Sequence, residues 1–114
     1  MENKKKLTAI FFKSSSGKEP VREWLLGLSK EQKKLIGGDI KTVEYGWPIG
    51  MPVCRPMGEG LFEVRTELEN TISRVLFSIS DGQMLLLHGF IKKTKATPNN
   101  ELNIAKRRLK EARL

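Results

Sequence analysis

Residues 61–95 read LFEVRTELENTISRVLFSISDGQMLLLHGFIKKTK, and the punctuation of this stretch decides the fold. Leu61 to Thr66, Ser73 to Ile79 and Met84 to Ile91 are rich in β-branched, aromatic and aliphatic residues. Glu69-Asn70 separates the first run from the second, and Asp81-Gly82 separates the second from the third. Asp-Gly tolerates the positive φ values that a tight hairpin requires. The third run is apolar almost throughout, which suits a central strand covered on both faces. An antiparallel meander is therefore predicted. Cations interrupt it: Arg65 and Arg74 lie inside strand-like runs, and Lys92-Lys93 closes the third.

Upstream, Leu7 to Phe12 is a short apolar run that reads as a first strand. Pro20 suits the first turn of a helix, and Val21, Trp24, Leu25 and Leu28 follow at helical spacing. Ser29-Lys30-Glu31-Gln32 has the form of a capping box, so a second helix starts at Ser29. Leu35, Ile36, Ile40 and Val43 supply its buried stripe, Gly37-Gly38 weakens its middle, and Gly46 and Pro48 end it. Trp47 to Gly60, rich in proline and glycine, reads as a loop; Arg55 within it is either an exposed cation or a phosphate contact. Downstream, Thr97-Pro98 reads as an N-cap followed by proline at the first helical position. Leu102, Ala105, Leu109 and Ala112 give that last helix a modest apolar stripe, and Lys106, Arg107, Arg108, Lys110 and Arg113 crowd its end. The expected fold is α+β, one domain over residues 1–114, in the order β-α-α-β-β-β-α. A small antiparallel-rich sheet packs on both N-terminal helices, with Phe62, Val64, Val75, Phe77 and Ile79 beneath them.

The chain has 114 residues, enough for a hydrophobic core, and a formal net charge of +8 with an isoelectric point near 9.8. The surplus is shared between the two halves of the sequence, so it is no detachable tail. It favours a polyanionic partner such as nucleic acid. Cys54 is the only cysteine and His88 the only histidine, which argues against disulfides and structural zinc and for a reducing cytoplasm. No apolar run reaches signal-peptide or membrane-spanning length, so no membrane association is expected. No phosphate-binding glycine loop, dinucleotide fingerprint or metal-binding histidine pair is present, and no cofactor is expected.

Strand periodicity puts Arg65 and Arg74 on the face away from the N-terminal helices, close to one another across the first hairpin. One reading is a solvated face on which Glu63 and Glu67 pair with the arginines. The other is a phosphate-binding concavity, because a guanidinium fork matches phosphate oxygens and lysine adds a point charge. Cleavage of RNA needs little else: the ribose 2′-hydroxyl is a built-in nucleophile, and charge develops on the phosphorane. His88 is the one side chain suited to proton transfer at neutral pH, and its alternative is a hydrogen-bonded place in the core.

LFEVR, SRVLFSI and LLLHGFIKKTKATP, running into a basic C-terminal helix, resemble the RelE/ParE toxin superfamily of type II toxin–antitoxin systems, above all its phage-derived HigB-like branch. The resemblance implies an endoribonuclease that cuts mRNA, on the ribosome, without a metal. It also implies a cognate antitoxin with a helix-turn-helix domain that covers the open face or displaces the last helix. By position, Arg65 matches a strand cation of the site, Arg74 the main stabiliser of the transition state, and Lys92 and Lys93 the basic pair after the last strand. With His88 these form the expected catalytic set, and Arg55, Lys95, Arg107 and Arg108 the expected RNA contacts. Many members carry a tyrosine near the C-terminus; here Pro98-Asn99-Asn100 stands there, and Tyr45 lies on the second helix. The alternative within the superfamily is a ParE-like toxin that inhibits DNA gyrase by binding alone.

Overall fold

The protein is described by a computed structural model covering residues 4–93 and 96–113. The chain runs β1 (Thr8–Phe11), α1 (Pro20–Leu26), α2 (Lys30–Gly46), β2 (Cys54–Gly58), β3 (Leu61–Leu68), β4 (Thr71–Ser80), β5 (Gln83–Lys92) and α3 (Asn99–Ala112). Among the described residues one mixed sheet holds the strands in the order β1-β5-β4-β3-β2.

The local signals act as their chemistry requires. Proline opens α1, and at α2 the Ser29 hydroxyl accepts from the Gln32 amide while the Gln32 side chain accepts from the Ser29 amide. The hairpin turns at Asn70 and at Asp81-Gly82 adopt the left-handed backbone, with φ of 61°, 51° and 74°. Gly37 and Gly38 lie within an unbroken α2.

Two features depart from the expectation. The supposed loop contains a strand: β2 pairs antiparallel to β3, Cys54 opposite Val64 and Arg55 opposite Glu63. Pro56 fits there because β2 is the sheet edge, where a missing N–H costs no ladder bond, and the register shifts between Pro56 and Gly58. In addition, β1 lies parallel to β5, Thr8 opposite Gln83 and Phe11 opposite Leu86, so the meander is flanked by one parallel pair.

Each face of the sheet has its own core. On one, Val64, Val75, Phe77, Met84 and Leu86 pack with Ile36, Ile40 and Val43 of α2 and Val21 of α1. Phe62 and Ile79 are partly buried against the same cluster, so the predicted set does lie beneath the helices. On the other face Leu61, Leu76, Leu87 and Phe90 pack with Ala105 and Leu109 of α3. The face expected to be open is thus roofed by the C-terminal helix.

A bulge makes this double burial workable. The β4–β5 register shifts between Leu76, opposite His88, and Phe77, opposite Leu86, leaving Leu87 as the extra residue. Alternation reverses there, so His88 and Phe90 point toward α3 while Gly89 faces α1. A Cβ at Gly89 would lie 2.9 Å from Trp24 Cδ2 and closer still to Cε3 and Cζ3. Gly89→Ala should therefore force the indole aside and destabilise the fold by about 1–3 kcal/mol, as overpacking typically does. A thermal melt checks this, and an unchanged midpoint would show that Trp24 shifts without penalty.

Candidate nucleic-acid interface

The sheet register assembles a charged cluster on the α3 side. Arg65 of β3 stands directly opposite Arg74 of β4, and Arg55 of β2 directly opposite Glu63 of β3. Like charges facing each other across a ladder destabilise it, unless an anion lies between them. Glu63 is that anion. Its carboxylate is fully buried, with Oε1 3.4 Å from Arg65 Nη1 and 3.8 Å from Arg74 Nε.

The chain entering α3 closes over this cluster. Arg74 Nη1 donates to the Ala96 carbonyl at 3.0 Å, and the Thr97 hydroxyl donates to Glu63 Oε2. This explains why Thr97 does not cap α3, whose N-cap is Pro98: its hydroxyl is committed to the sheet.

Arg74 is thus fully buried, not on an open face. Its guanidinium lies 5.9 Å from the Phe90 ring centroid. Burial lowers its pKa; the Glu63 carboxylate opposes that shift, and Arg65 and Arg55 add to it. Arg65 keeps 13 % side-chain exposure and Arg55 is partly buried, so the cluster reaches solvent through these two.

Lys92 ends β5 as an exposed residue opposite Ile72, two positions beyond Phe90, which itself opposes Arg74. Lys93 is exposed and lines a shallow depression at the β3–β4 turn with Glu67 and Asn70. Lys95 lies outside the described residues.

His88 belongs to a second cluster that fastens α3 to β5. Its Nε2 is 3.1 Å from Glu101 Oε1, and its Nδ1 is 3.2 Å from Arg108 Nη1, which also donates to the Leu87 carbonyl at 2.8 Å. A guanidinium can only donate, so Nδ1 accepts and Nε2 carries the proton that goes to Glu101. Both ring nitrogens are engaged and the ring stacks on Phe90, which makes His88 a clasp. Arg108, expected to meet RNA, is the other half of that clasp, while Arg107 is exposed.

Desolvation lowers the His88 pKa from its usual 6.5, outweighing the opposing hydrogen bond and charge of Glu101; the Arg108 charge lowers it further. An imidazole depressed in the folded state binds its proton more readily when unfolded. Its contribution to stability is therefore complete above about pH 6.5 and lost as pH falls below that value. Melts between pH 7.5 and 5.5 should show the midpoint falling in the parent and a flatter profile in His88→Gln. Identical profiles would remove the clasp from the account of stability.

Cys54 is buried in the core under α2, and desolvation pushes its thiol up to about 11, so it is no nucleophile. Among the described residues no three His, Cys, Asp or Glu side chains gather to hold a metal ion. No described helix is long and apolar enough to cross a membrane.

A five-stranded mixed sheet between two helices and a third, with a buried arginine–glutamate cluster on one face, defines a small basic α+β protein consistent with a toxin fold. The chain belongs to the Gp49-like family of phage-derived proteins (DUF891), a RelE/toxin-like family whose profile matches residues 23–110. No curated protein matches the sequence. The matched span includes α2, the whole meander and all but the end of α3.

Proposed function

We propose that this protein is the toxin of a type II toxin–antitoxin system, of the HigB-like branch, and that it cleaves mRNA by attack of a ribose 2′-hydroxyl on the adjacent phosphate. The observation that carries the reading is the cluster of Arg55, Arg65 and Arg74 about the buried carboxylate of Glu63. Among the described residues the guanidinium groups of this cluster outnumber its carboxylate. Cations so placed would stabilise the dianion formed when a phosphodiester becomes a phosphorane, most strongly where water is excluded. Arg65 and Arg55 face the solvent side and contact the phosphate. Arg74, held by Glu63 and Ala96, supplies charge and position from beneath. Exposed Lys92, Lys93 and Arg107 extend the basic surface along the RNA backbone. Because His88 is tied at both nitrogens, catalysis here rests on charge stabilisation and alignment of the 2′-hydroxyl.

The test is induction in growing cells with mapping of new 5′ ends across the mRNA, alongside ribosome-free RNA treated with purified protein. New ends within translated frames support the nuclease, and their absence from the ribosome-free sample places the cut on the ribosome. Growth arrest without new ends would instead support a binding toxin directed at gyrase. A neighbouring gene product with a helix-turn-helix domain should bind the protein and relieve arrest. Its failure to do either would remove the toxin–antitoxin reading.

A further inference from the structure

On the α2 side of the sheet, reaching the arginine cluster at Arg65 alone, lies a groove of about 440 Å³ between α2, the segment before β2, and the end of β3 that runs past β2. Pockets of this size bind small ligands, and an open nucleobase fits easily. Leu35 and Met51, 44 % and 60 % exposed, form apolar walls with Ile72. Two carboxylates, Asp39 of α2 and Glu67 of β3, line the same space. Arg65 lines it too, so the groove adjoins the cluster through that residue.

Such a lining is peculiar for a protein with this charge. Carboxylates oppose a phosphate inside the groove, yet apolar walls suit the flat face of a base. Its lining includes Thr66, 3 % exposed, whose buried hydroxyl has no hydrogen-bond partner among the described residues. Burying a hydroxyl without a partner is costly, and a ligand acceptor would satisfy it.

The four RNA bases differ in what they present to these groups. A carboxylate requires two adjacent donors to be filled in parallel. Only guanine provides them, at N1–H and the 2-amino group, with the acceptor O6 alongside for a hydroxyl. Adenine, cytosine and uracil each set an acceptor beside their donor, which a carboxylate repels.

We propose that this groove is a guanine-binding subsite, which holds the base of a nucleotide whose phosphate lies on Arg65. The proposal deepens the nuclease reading and rests on it for the role of Arg65. The carboxylate of Glu67 or Asp39 accepts from N1–H and the 2-amino group, Thr66 turns its hydroxyl to O6, and the ring lies between Leu35 and Met51.

The test uses the intact protein with 5′-GMP, 5′-IMP and 5′-AMP as probes. IMP is GMP without the 2-amino group, so it removes one of the paired donors and changes little else. Titrations followed through the methyl signals of Leu35, Met51 and Ile72 should show GMP binding at least about tenfold tighter than IMP or AMP, since a site built for a hydrogen bond rejects the ligand lacking it. Glu67→Gln or Asp39→Asn should abolish that preference, and mapped cuts in RNA should fall beside guanine. Equal binding of the three nucleotides, shifts outside the groove, or unaltered preference in both variants would overturn the subsite. GMP selectivity without RNA cleavage would keep the subsite and remove the nuclease. Cleavage indifferent to guanine would keep the nuclease and remove the subsite.

Discussion

Arg74→Ala should cost about 3–5 kcal/mol of folding stability, the usual penalty for removing one partner of a buried ion pair. The reason is what remains. Glu63 is fully buried, and without Arg74 it keeps Arg65 and the Thr97 hydroxyl but loses its one fully buried cation. The Ala96 carbonyl loses its donor in the same step, so the chain entering α3 loosens. A domain of this size has about 5–15 kcal/mol in total, so the variant approaches the threshold of unfolding. Arg74→Lys should recover only part, because an ammonium on a flexible stem cannot reach both Glu63 and Ala96 with fixed geometry. Replacing the pair together, Arg74→Met with Glu63→Leu, should cost less than Arg74→Ala alone, since no charge is left stranded. Denaturant titrations of the three variants check this. An Arg74→Ala protein as stable as the parent would show that the cluster contributes no structural hold. Strand alternation alone puts Arg74 on an open face, where the substitution would be nearly neutral for folding; α3 covers that face, and a larger cost is expected.

Arg65→Ala should lower the rate of RNA cleavage by about 10²–10³, the loss typical when one donor to a developing oxyanion is removed. Here the fold should largely survive. Arg65 is partly exposed, and Glu63 retains Arg74 and Thr97. The two arginines oppose one another across the same ladder, one facing inward and the other reaching solvent, so the two substitutions should separate stability from the proposed cleavage. Cleavage of a short RNA under single-turnover conditions, paired with a melt of the same preparation, distinguishes the effects. A stable Arg65→Ala protein that cuts at the parental rate would disprove the phosphate contact.

Much of the fold was legible because its signals are local. Asp81-Gly82, Asn70, Pro20 and the Ser29 capping box act through their nearest neighbours, and each ends or begins an element where expected. Strand β2 was hidden, because Pro56 and the flanking glycines carry loop chemistry and only its place at the sheet edge makes them compatible with pairing. The cover over the arginine face had a signal that alternation alone passed over. Leu61 and Leu76 share the pleat side of Arg65 and Arg74, and a leucine on each strand calls for an apolar roof. That Arg65 and Arg74 would meet was legible from the hairpin. The clasp was not: it depends on a bulge at Leu87 that changes which way His88 points, and on Glu101 and Arg108 arriving from a distant helix. Arg108 looked like an RNA contact because composition reports charge and not its partner.

The parallel pairing of β1 with β5 also governs when the protein can come into being. Thr8 must wait for Gln83, and Phe11 for Leu86, before the first strand has any neighbour in the sheet. Residues 96 and 97, which complete the cluster around Glu63 and Arg74, emerge later still. Contacts so far apart in sequence pay their loop-closure entropy before they are rewarded, so folding is slow compared with a helical bundle of equal length. A growing chain on the ribosome therefore carries its arginines long before it carries the site they build.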